Sequence, residues 1–316
     1  MQKSLLPTPE ALTLDQIAQR FNTDERALAY LEEIIWPHGP VCPHCQNADP
    51  ARIWKLKANA AKEIRLGLYE CGACGKQFRV TVGTIFEDSK IPLRKWLVAW
   101  YLVCSSKKGS SLQLMRQLDL GSYHTALFMT HRIRHALRDP AFNGKLSGTV
   151  EVDETYVDGV VKGRGRHYVA NKANIVSMVE RGGRVRLQVM DKVTSKNLKA
   201  ALNEHVETSA RIVTDEHHGY RKAAAGFAAH ETVNHGAKEY ARGDVNTNTV
   251  EGFFSLFRRG VIGTFHSVSK KHLPLYLAEF DHRYNTRKQT DGERTVAGMK
   301  KARGKRLTLK PLREGA

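Results

Sequence analysis

The chain has 316 residues, of which 41% are hydrophobic and 26% charged, so it is long enough for two or more domains and its composition is that of a globular protein rather than a disordered one. Its net charge of +18 is unusual and indicates a polyanionic partner, most commonly nucleic acid. The longest apolar run, Trp96 to Cys104, is too short to cross a bilayer and the N-terminus lacks a signal-peptide core, so we expect a soluble intracellular protein.

The first predicted elements are two short helices within residues 13–37. Thr13 and Thr23 each precede an amphipathic run and are suitable N-caps, because a threonine hydroxyl accepts a bond from a free amide of the first turn. These helices belong to a predicted N-terminal helical segment, residues 1–40.

Residues 41–86 contain two C-x-x-C pairs, "CPHC" and "CGAC", separated by 25 residues. Two such pairs in an intracellular chain predict one structural Zn²⁺, because each tight turn directs two thiolates at the same ion. Disulfides would need an oxidising compartment, which nothing in the sequence supports. Short alternating segments between and after the pairs predict strands, and the layout is that of a zinc ribbon. The predicted ligands are Cys42, Cys45, Cys71 and Cys74.

Residues 87–145 are predicted to be helical. "LRKWLVAWYLVC" predicts a buried helix, and the segment from Ser110 to Leu137 predicts a helix, a turn at Gly121 and a second helix. Two interpretations are open: a helix-turn-helix that offers its second helix to a DNA groove, or a helical hairpin with a solvated basic face. Both place a set of basic side chains at the surface, namely His131, Arg132, Arg134, His135 and Arg138.

From residue 148 the pattern changes to strands. "GTVEVDETYVDGV" alternates, with Val150 and Val152 on one face and Glu151, Asp153 and Thr155 on the other. We interpret Glu151, like the neighbouring Glu154, as tuning the local field or facing solvent.

The order of the following elements predicts a ribonuclease H-like α/β domain, with a mixed sheet flanked by helices, over residues 146–289. A hairpin turning at Gly182 and Gly183 adds two strands, a helix capped near Thr194 follows, and a short buried strand ends on Asp215. Such a domain carries one acid within its first strand and another at the end of its fourth. Asp153 and Asp215 occupy these two positions.

The segment "NTNTVEGFFSLFRRG" predicts a helix with one apolar stripe and a polar side. Asn248, Glu251 and Arg258 recur on the polar side. In one interpretation Asn248 is the N-cap and Glu251 closes a variant of the capping box. In the other, Glu251 is a third carboxylate of an active site. The apolar stripe consists of Val250, Phe253, Phe254, Phe257 and Val261.

Taken together, these motifs resemble the DDE transposases of bacterial insertion sequences, specifically the ISXO-like group with an N-terminal zinc ribbon. The resemblance covers residues 10 to 300 in family order. It is carried by "CPHC", "CGAC", "SSLQLMRQL", "VEVDETYVDG", "KGRGR", "VTDEHHGY", "VNTNTVEGFFSLFRRGVIGTFHSVSKKHL" and "LAEFDHRYNTR".

The resemblance implies catalytic roles for five residues. Asp153, Asp215 and Glu251 match the metal-binding acids, which would hold two Mg²⁺ or Mn²⁺ ions per active site. Arg258 matches a basic position, usually lysine, that holds DNA near the active site. Asn248 is a further candidate ligand, because some members use asparagine in the third metal position.

The implied function is that of a transposase that binds the terminal inverted repeats of its insertion sequence and catalyses DNA strand cleavage and strand transfer. The expected partners are repeat and target DNA, with a homo-oligomer in the DNA complex, in the bacterial cytoplasm at the nucleoid. Two alternatives are a ribonuclease H-like nuclease without strand transfer and a DNA-binding regulator with an inert catalytic domain. The presence of all three acids argues against inertness.

Residues 290–316 are predicted to be a flexible basic tail. From residue 286 to the end the chain has ten basic residues and three acidic ones. Such a segment adds sequence-independent affinity for phosphate groups. The arginines of "KGRGR" are interpreted in the same way.

Overall fold

The computed structural model describes residues 12–106, 109–138, 144–157 and 173–309. The glycine-arginine segment at residues 162–166 therefore lies outside the described residues. The chain divides into two compact units, unit 1 (Met1–Arg138 and Lys288–Ala316) and unit 2 (Asp139–Arg287). Across the described ranges, every helix falls short of the length and apolarity needed to span a bilayer.

The helices and strands follow one another along the chain as α1 (Leu14–Arg20), α2 (Asp24–Ile35), β1 (Ile53–Lys55), β2 (Tyr69–Cys71), β3 (Gln77–Phe78), α3 (Leu93–Ser105), α4 (Ser111–Gln117), α5 (Tyr123–Leu137), β4 (Thr149–Val157), β5 (Ala173–Glu180), β6 (Val185–Met190), α6 (Ser195–His205), β7 (Arg211–Thr214), α7 (Gly219–Ala223), β8 (Ala229–Thr232), β9 (Ala241–Arg242), β10 (Val245–Asn246), α8 (Asn248–Gly260), α9 (Leu273–Asn285) and α10 (Asp291–Lys300).

The first helices of unit 1 begin where the sequence predicts. Thr13 Oγ1 accepts the amide of Gln16 at 3.2 Å, and Thr23 Oγ1 accepts the amide of Arg26 at 3.4 Å. Both predicted N-caps are therefore confirmed. The apolar helix α3 is buried as predicted, with Cys104 in the core.

Helices α4 and α5 confirm the predicted helix, turn and helix, but the basic side chains of α5 are not at the surface. His131, Arg132 and Arg134 are 1%, 6% and 0% exposed. The Arg132 guanidinium lies 5.4 Å from the centre of the Trp96 ring, and its long aliphatic stem packs well in an apolar setting. The expectation of a DNA-facing or solvated basic face is therefore wrong for these three residues, whereas His135 is half-buried and Arg138, just after the end of α5, is exposed.

The segment predicted to be a flexible tail contains α10, which packs against α2, α3 and α5. Val296 and Met299 are buried, and Thr290 and Glu293 form a capping box at its start. The expectation of flexibility is therefore wrong for residues 290–309. Although this segment is rich in lysine and arginine, its apolar residues recur at helical spacing, and their burial against α3 stabilises α10.

Unit 2 is a mixed five-stranded sheet in the order β6-β5-β4-β7-β8. Strand β4 lies at its centre, antiparallel to β5 and parallel to β7. One face packs against α6 and α7, and the other face packs against α8 and α9. The predicted ribonuclease H-like α/β architecture is confirmed.

The local predictions within unit 2 hold with one exception. The β5–β6 hairpin turns at Gly182, whose φ of +72° suits glycine, and Thr194 caps α6. The apolar stripe of α8 is buried against the sheet. The exception is the N-cap of α8, which is Thr247 and not Asn248.

Candidate functional site

The site is built on strand β4, whose alternating residues Glu151, Asp153 and Thr155 face helix α8. Glu151 bonds to the first turn of α8, and Arg258 Nη2, two turns further on, donates to Thr155 Oγ1 at 2.9 Å. These two contacts hold α8 along β4. Asp153 lies between them on the same face of the strand.

Asp215 follows directly after β7, the parallel neighbour of β4. Glu151 pairs with Val213, so continuing the register by two residues sets Asp153 beside Asp215. Adjacent strands are about 4.8 Å apart, so the two aspartates start from neighbouring backbone positions. Asp215 Oδ1 also accepts the amide of His217 at 3.0 Å, which fixes the turn after the strand.

The electrostatic setting of Asp153 is shaped by burial and by the other acids. Burial raises the pKa of Asp153 to about 7. The amide of Glu154 acts in the opposite direction, and the negative charges of Asp215, Glu154 and Glu251 add to the rise. The structure thus brings the three sequence-predicted acids into the same field. Among the described residues, they are not as tightly gathered as the four cysteines, whose ligand atoms all lie within 4.8 Å of one another.

Glu251 lies in the first turn of α8, with half of its side chain exposed. Its Oε1 accepts a bond from Thr247 Oγ1 at 2.7 Å and lies 3.7 Å from His235 Nε2. The hydroxyl of Thr247 therefore orients the carboxylate, and His235, when protonated, adds a cation beside it. The sequence interpretation had no role for His235.

Asn248 is exposed at the first position of α8, and Arg258 is exposed nearly three turns later. The predicted capping box is absent because the free amides of α8 have another acceptor. Glu151 Oε2 accepts the amides of Thr249 and Val250 at 2.7 and 3.0 Å. The interpretation of Asn248 as the N-cap is therefore wrong, and its role as a metal ligand stays a prediction.

Glu151 is the main residue whose role the sequence interpretation missed. Its carboxylate is fully buried, and besides the two α8 amides it accepts Arg181 Nε at 2.8 Å. A carboxylate at a helix N-terminus is favoured by the free amides and the helix dipole. Glu151 thus fixes the start of α8, and with it Glu251, to the strand that carries Asp153. The sequence feature that could have indicated this role is the position of Glu151 two residues before Asp153, which places both on the strand face that the apolar side of α8 covers.

Glu154 lies on the opposite face of β4 and contacts α7. Its carboxylate accepts a bond from the buried hydroxyl of Tyr220 and lies 3.9 Å from His217 Nδ1. Burial raises the pKa of Glu154, the Tyr220 hydrogen bond lowers it, and the charge of Asp215 raises it again. Neither Glu151 nor Glu154 is the freely solvated residue that the sequence permitted.

The donor set of this cluster suits a hard divalent cation. Asp153, Asp215 and Glu251 offer carboxylate oxygens, the ligands that Mg²⁺ and Mn²⁺ prefer. Burial is the main reason that the pKa of Asp153 is raised, and the negative charges of Asp215 and Glu251 add to it; a divalent cation would neutralise that charge. The residues present therefore fit divalent metal ions.

The second metal centre is formed by the four cysteines of the ribbon, β1–β3. Cys42 Sγ lies 3.7 Å from Cys74 Sγ, and Cys45 Sγ lies 3.6 Å from Cys71 Sγ. A tetrahedral zinc ion with Zn–S bonds of about 2.3 Å spaces its sulfurs about 3.8 Å apart. The cluster fits one structural zinc ion.

Backbone hydrogen bonds close the two C-x-x-C turns. The amide of Gln46 donates to Cys42 O at 2.9 Å, and the amide of Gly75 donates to Cys71 O at 2.7 Å. Burial raises the pKa of Cys71, but the amides of Ala73 and Cys74 and the side chains of Cys45 and Asn47 together lower it to about 6. The amide of Asn47 lowers the pKa of Cys45, but burial and the neighbouring sulfurs raise it to about 12. Because zinc binds thiolates, loading the site would release the protons that remain on the cluster.

Comparisons with known proteins identify both regions. The model for an ISXO2-like transposase domain, of the IS1595 family, matches residues 145–285, and the model for a transposase zinc-ribbon domain matches residues 22–77. An uncharacterized protein in transposable element ISH50 of Halobacterium salinarum is 31% identical over 280 residues, covering 83% of this chain and 91% of the relative.

Among solved structures, a chain of the simian T-cell lymphotropic virus intasome in complex with PP2A regulatory subunit B56 gamma is 16% identical. It covers 58% of this chain and 65% of that chain, with a TM-score of 0.27. A similarity of this size is too low to indicate a shared fold.

Proposed function

This chain belongs to the ISXO2-like transposase family, and we propose that it binds the terminal inverted repeats of its element and catalyses strand cleavage and strand transfer at Asp153, Asp215 and Glu251. The observation that supports the proposal is that β4, which carries Asp153, runs parallel to β7, which Asp215 follows directly, and that Glu151 bonds β4 to the first turn of α8, which carries Glu251. Two divalent cations bound there would activate the attacking oxygen and stabilise the leaving oxygen.

The chain's own residues have separable roles in this proposal. Asp153 on the central strand β4, Asp215 directly after β7 and Glu251 on α8 would together hold the two ions. The raised pKa of Asp153 means that it must lose a proton before metal binds, so cleavage should accelerate as pH rises through about 7. Glu151 would keep Glu251 in register through the first turn of α8.

Arg258 would hold the DNA strand beside the acids. Its Nη2 donates to Thr155 Oγ1, and the side chain is exposed, so its remaining N–H groups can reach a phosphate. A guanidinium can donate two parallel hydrogen bonds to phosphate oxygens, and the bond to the Thr155 hydroxyl fixes the orientation of the guanidinium plane.

The test is a single-turnover assay on a DNA fragment that carries the ends bracketing the gene. With Mg²⁺ or Mn²⁺, the wild type should nick the ends and join the released 3′-OH to target DNA. Glu251→Gln keeps the size of the side chain but removes charge, so nicking should slow roughly a thousandfold or more. The matched control is Glu204→Gln, an exposed glutamate on α6, which should cleave like the wild type.

The products separate the alternatives. Cleavage without joining would identify a nuclease, and binding without cleavage would identify a regulator. If Glu251→Gln cleaves within tenfold of the wild type, Glu251 is not a metal ligand. DNA binding measured in the same samples should be nearly unchanged by Glu251→Gln, because the substitution alters chemistry and not the DNA-contacting surface.

A further inference from the structure

A cavity of about 450 Å³ opens in unit 1 beside the zinc ribbon, at α2 and α3. Arg65, Arg79 and Lys90 contribute to its lining, together with the hydroxyl-bearing Thr81. At about 30 Å³ for each water, the space is that of about fifteen waters, which is ample for a partly hydrated phosphate group. Nothing in the proposed chemistry of unit 2 uses this cavity.

Among the described residues, neither of the two arginines in the cavity, Arg65 and Arg79, forms an ion pair within 4.0 Å. The Nε of Arg79 is buried and has no hydrogen-bond acceptor among the described residues. A buried donor without an acceptor is costly, so an occupant that accepts a bond there would be stabilised.

The charges around Arg79 also favour an anion. Burial lowers the pKa of Arg79, and the positive charge of Arg65 lowers it further. Glu32 acts in the opposite direction, but its Oε2 already accepts Lys55 Nζ at 2.8 Å. The two like charges are therefore offset only in part by Glu32, whose carboxylate also serves Lys55 and Tyr69.

The carboxylates that line the cavity do not supply the missing partner. Glu87 and Asp88 pair with Arg306 at 3.4 and 2.5 Å. Asp24 Oδ1 accepts the amide of Arg94 at the start of α3 at 3.4 Å. The acids in the lining are thus already bound, whereas the arginines are not.

We propose that this cavity binds a backbone phosphate of DNA, held by the guanidinium groups of Arg65 and Arg79. Guanidinium groups match the geometry and charge of phosphate, and a diester anion between them would remove their repulsion and satisfy the Nε of Arg79. The ligand follows from the proposed function, in which DNA is the substrate. The contact is to the backbone, so it adds affinity and fixes the register of the DNA without reading its sequence.

The experiment compares DNA binding of the wild type and the double variant Arg65→Gln/Arg79→Gln by fluorescence anisotropy over a range of salt concentrations. The probe is a labelled duplex from the element end, without divalent cation. Loss of one phosphate contact should weaken binding tenfold or more at low salt and reduce the slope of log K against log salt by about one. Arg20→Gln is the matched control, since it removes an exposed arginine of unit 1 at the end of α1, outside the cavity lining.

Folding is checked by zinc content and tryptophan fluorescence. If the double variant is unfolded, the single variants Arg65→Gln and Arg79→Lys replace it. The first should bind DNA several-fold more weakly, and the second should keep most of the affinity because the charge remains. A second arm measures thermal stabilisation of the wild type by inorganic phosphate.

The outcomes are distinct. Folded variants that bind DNA with wild-type affinity and salt slope overturn the phosphate site, whether or not strand cleavage occurs. Arginine-dependent stabilisation by inorganic phosphate with unchanged DNA binding also overturns it, because the cavity would then take a free anion. A wild type that binds the ends but does not cleave them contradicts the proposed function and leaves the cavity result standing.

Discussion

Replacing Asp153 by asparagine should stabilise unit 2 above neutral pH when no divalent cation is present. The carboxyl group titrates near 3.8 in an unfolded chain, and burial raises its pKa to about 7 in the folded state. The folded state therefore binds this proton more tightly. As a result, the free energy of unfolding falls as the pH rises from about 4 to about 7.

The size of the effect follows from the two pKa values. A difference of about three pH units, at about 1.4 kcal/mol per unit, corresponds to about 4 kcal/mol lost by pH 8. The neighbouring acids titrate together with Asp153, which spreads the change over a wider pH range. We therefore expect Asp153→Asn to be more stable than the wild type by about 2–4 kcal/mol at pH 8. At pH 4, where Asp153 is protonated, the two proteins should converge.

Urea unfolding followed by far-UV circular dichroism at several pH values measures this difference. Magnesium is omitted from the buffer, but no chelator is added, because a chelator would remove zinc from the ribbon. Tryptophan fluorescence reports unit 1 alone and serves as an internal reference that the substitution should not move. The four tryptophans are Trp36, Trp54, Trp96 and Trp100.

Two comparisons decide the result. Asp191→Asn removes an exposed aspartate that pairs with Lys270 at 2.8 Å and whose pKa is lowered, so it should give no gain at pH 8. Adding Mg²⁺ should stabilise the wild type more than Asp153→Asn. If Asp153→Asn shows no gain at pH 8, or an equal gain at pH 4 and pH 8, the raised pKa is not the source of the instability.

Three further predictions concern single residues. Cys71→Ser should lose stoichiometric zinc and local folding of the ribbon, measured by metal analysis, and full zinc in that variant would contradict the four-thiolate site. Glu151→Ala should destabilise unit 2 by about 3 kcal/mol and slow cleavage more than tenfold, because it leaves the amides of the first turn of α8 and the guanidinium of Arg181 without their acceptor. Glu151→Gln should recover much of the stability. Equal chemical denaturation curves for Glu151→Ala and the wild type would refute this role of Glu151 in holding α8. Asn248→Ala should change stability by less than about 0.5 kcal/mol, since Thr247 and not Asn248 is the N-cap, and a loss of cleavage rate greater than that of Glu251→Gln would assign the third ligand to Asn248.

The parts of the fold that the sequence predicts are those set by local patterns. The apolar stripe of Val250, Phe253 and Phe257 could be predicted because burial of one helix face requires apolar residues at a period of 3.6. The zinc site could be predicted from the cysteine pairs because each of two turns must present two thiolates to one ion. In unit 2, the strand that carries Asp153 and the strand that directly precedes Asp215 follow from the order of the elements.

The parts that escape the sequence depend on pairings between distant residues. Glu151 bonds to Thr249 and Val250, which follow it by 98 and 99 residues, and no local pattern reveals those partners. Arg132 is buried because Trp96 and a carbonyl of another segment surround it, although a basic helix end ordinarily faces water. The cavity at Arg79 likewise exists only once ribbon and helices have packed.

The order of the elements along the chain has a consequence for synthesis. Unit 1 is discontinuous, since its last helix, α10, follows the whole of unit 2. A nascent chain therefore completes the sheet and helices of unit 2 before residues 288–309 emerge to cover α3. Until then the apolar surface that later buries Val296 and Met299 is open. A chain cut short after Arg287 would therefore carry a complete unit 2 and an unfinished unit 1 prone to aggregation.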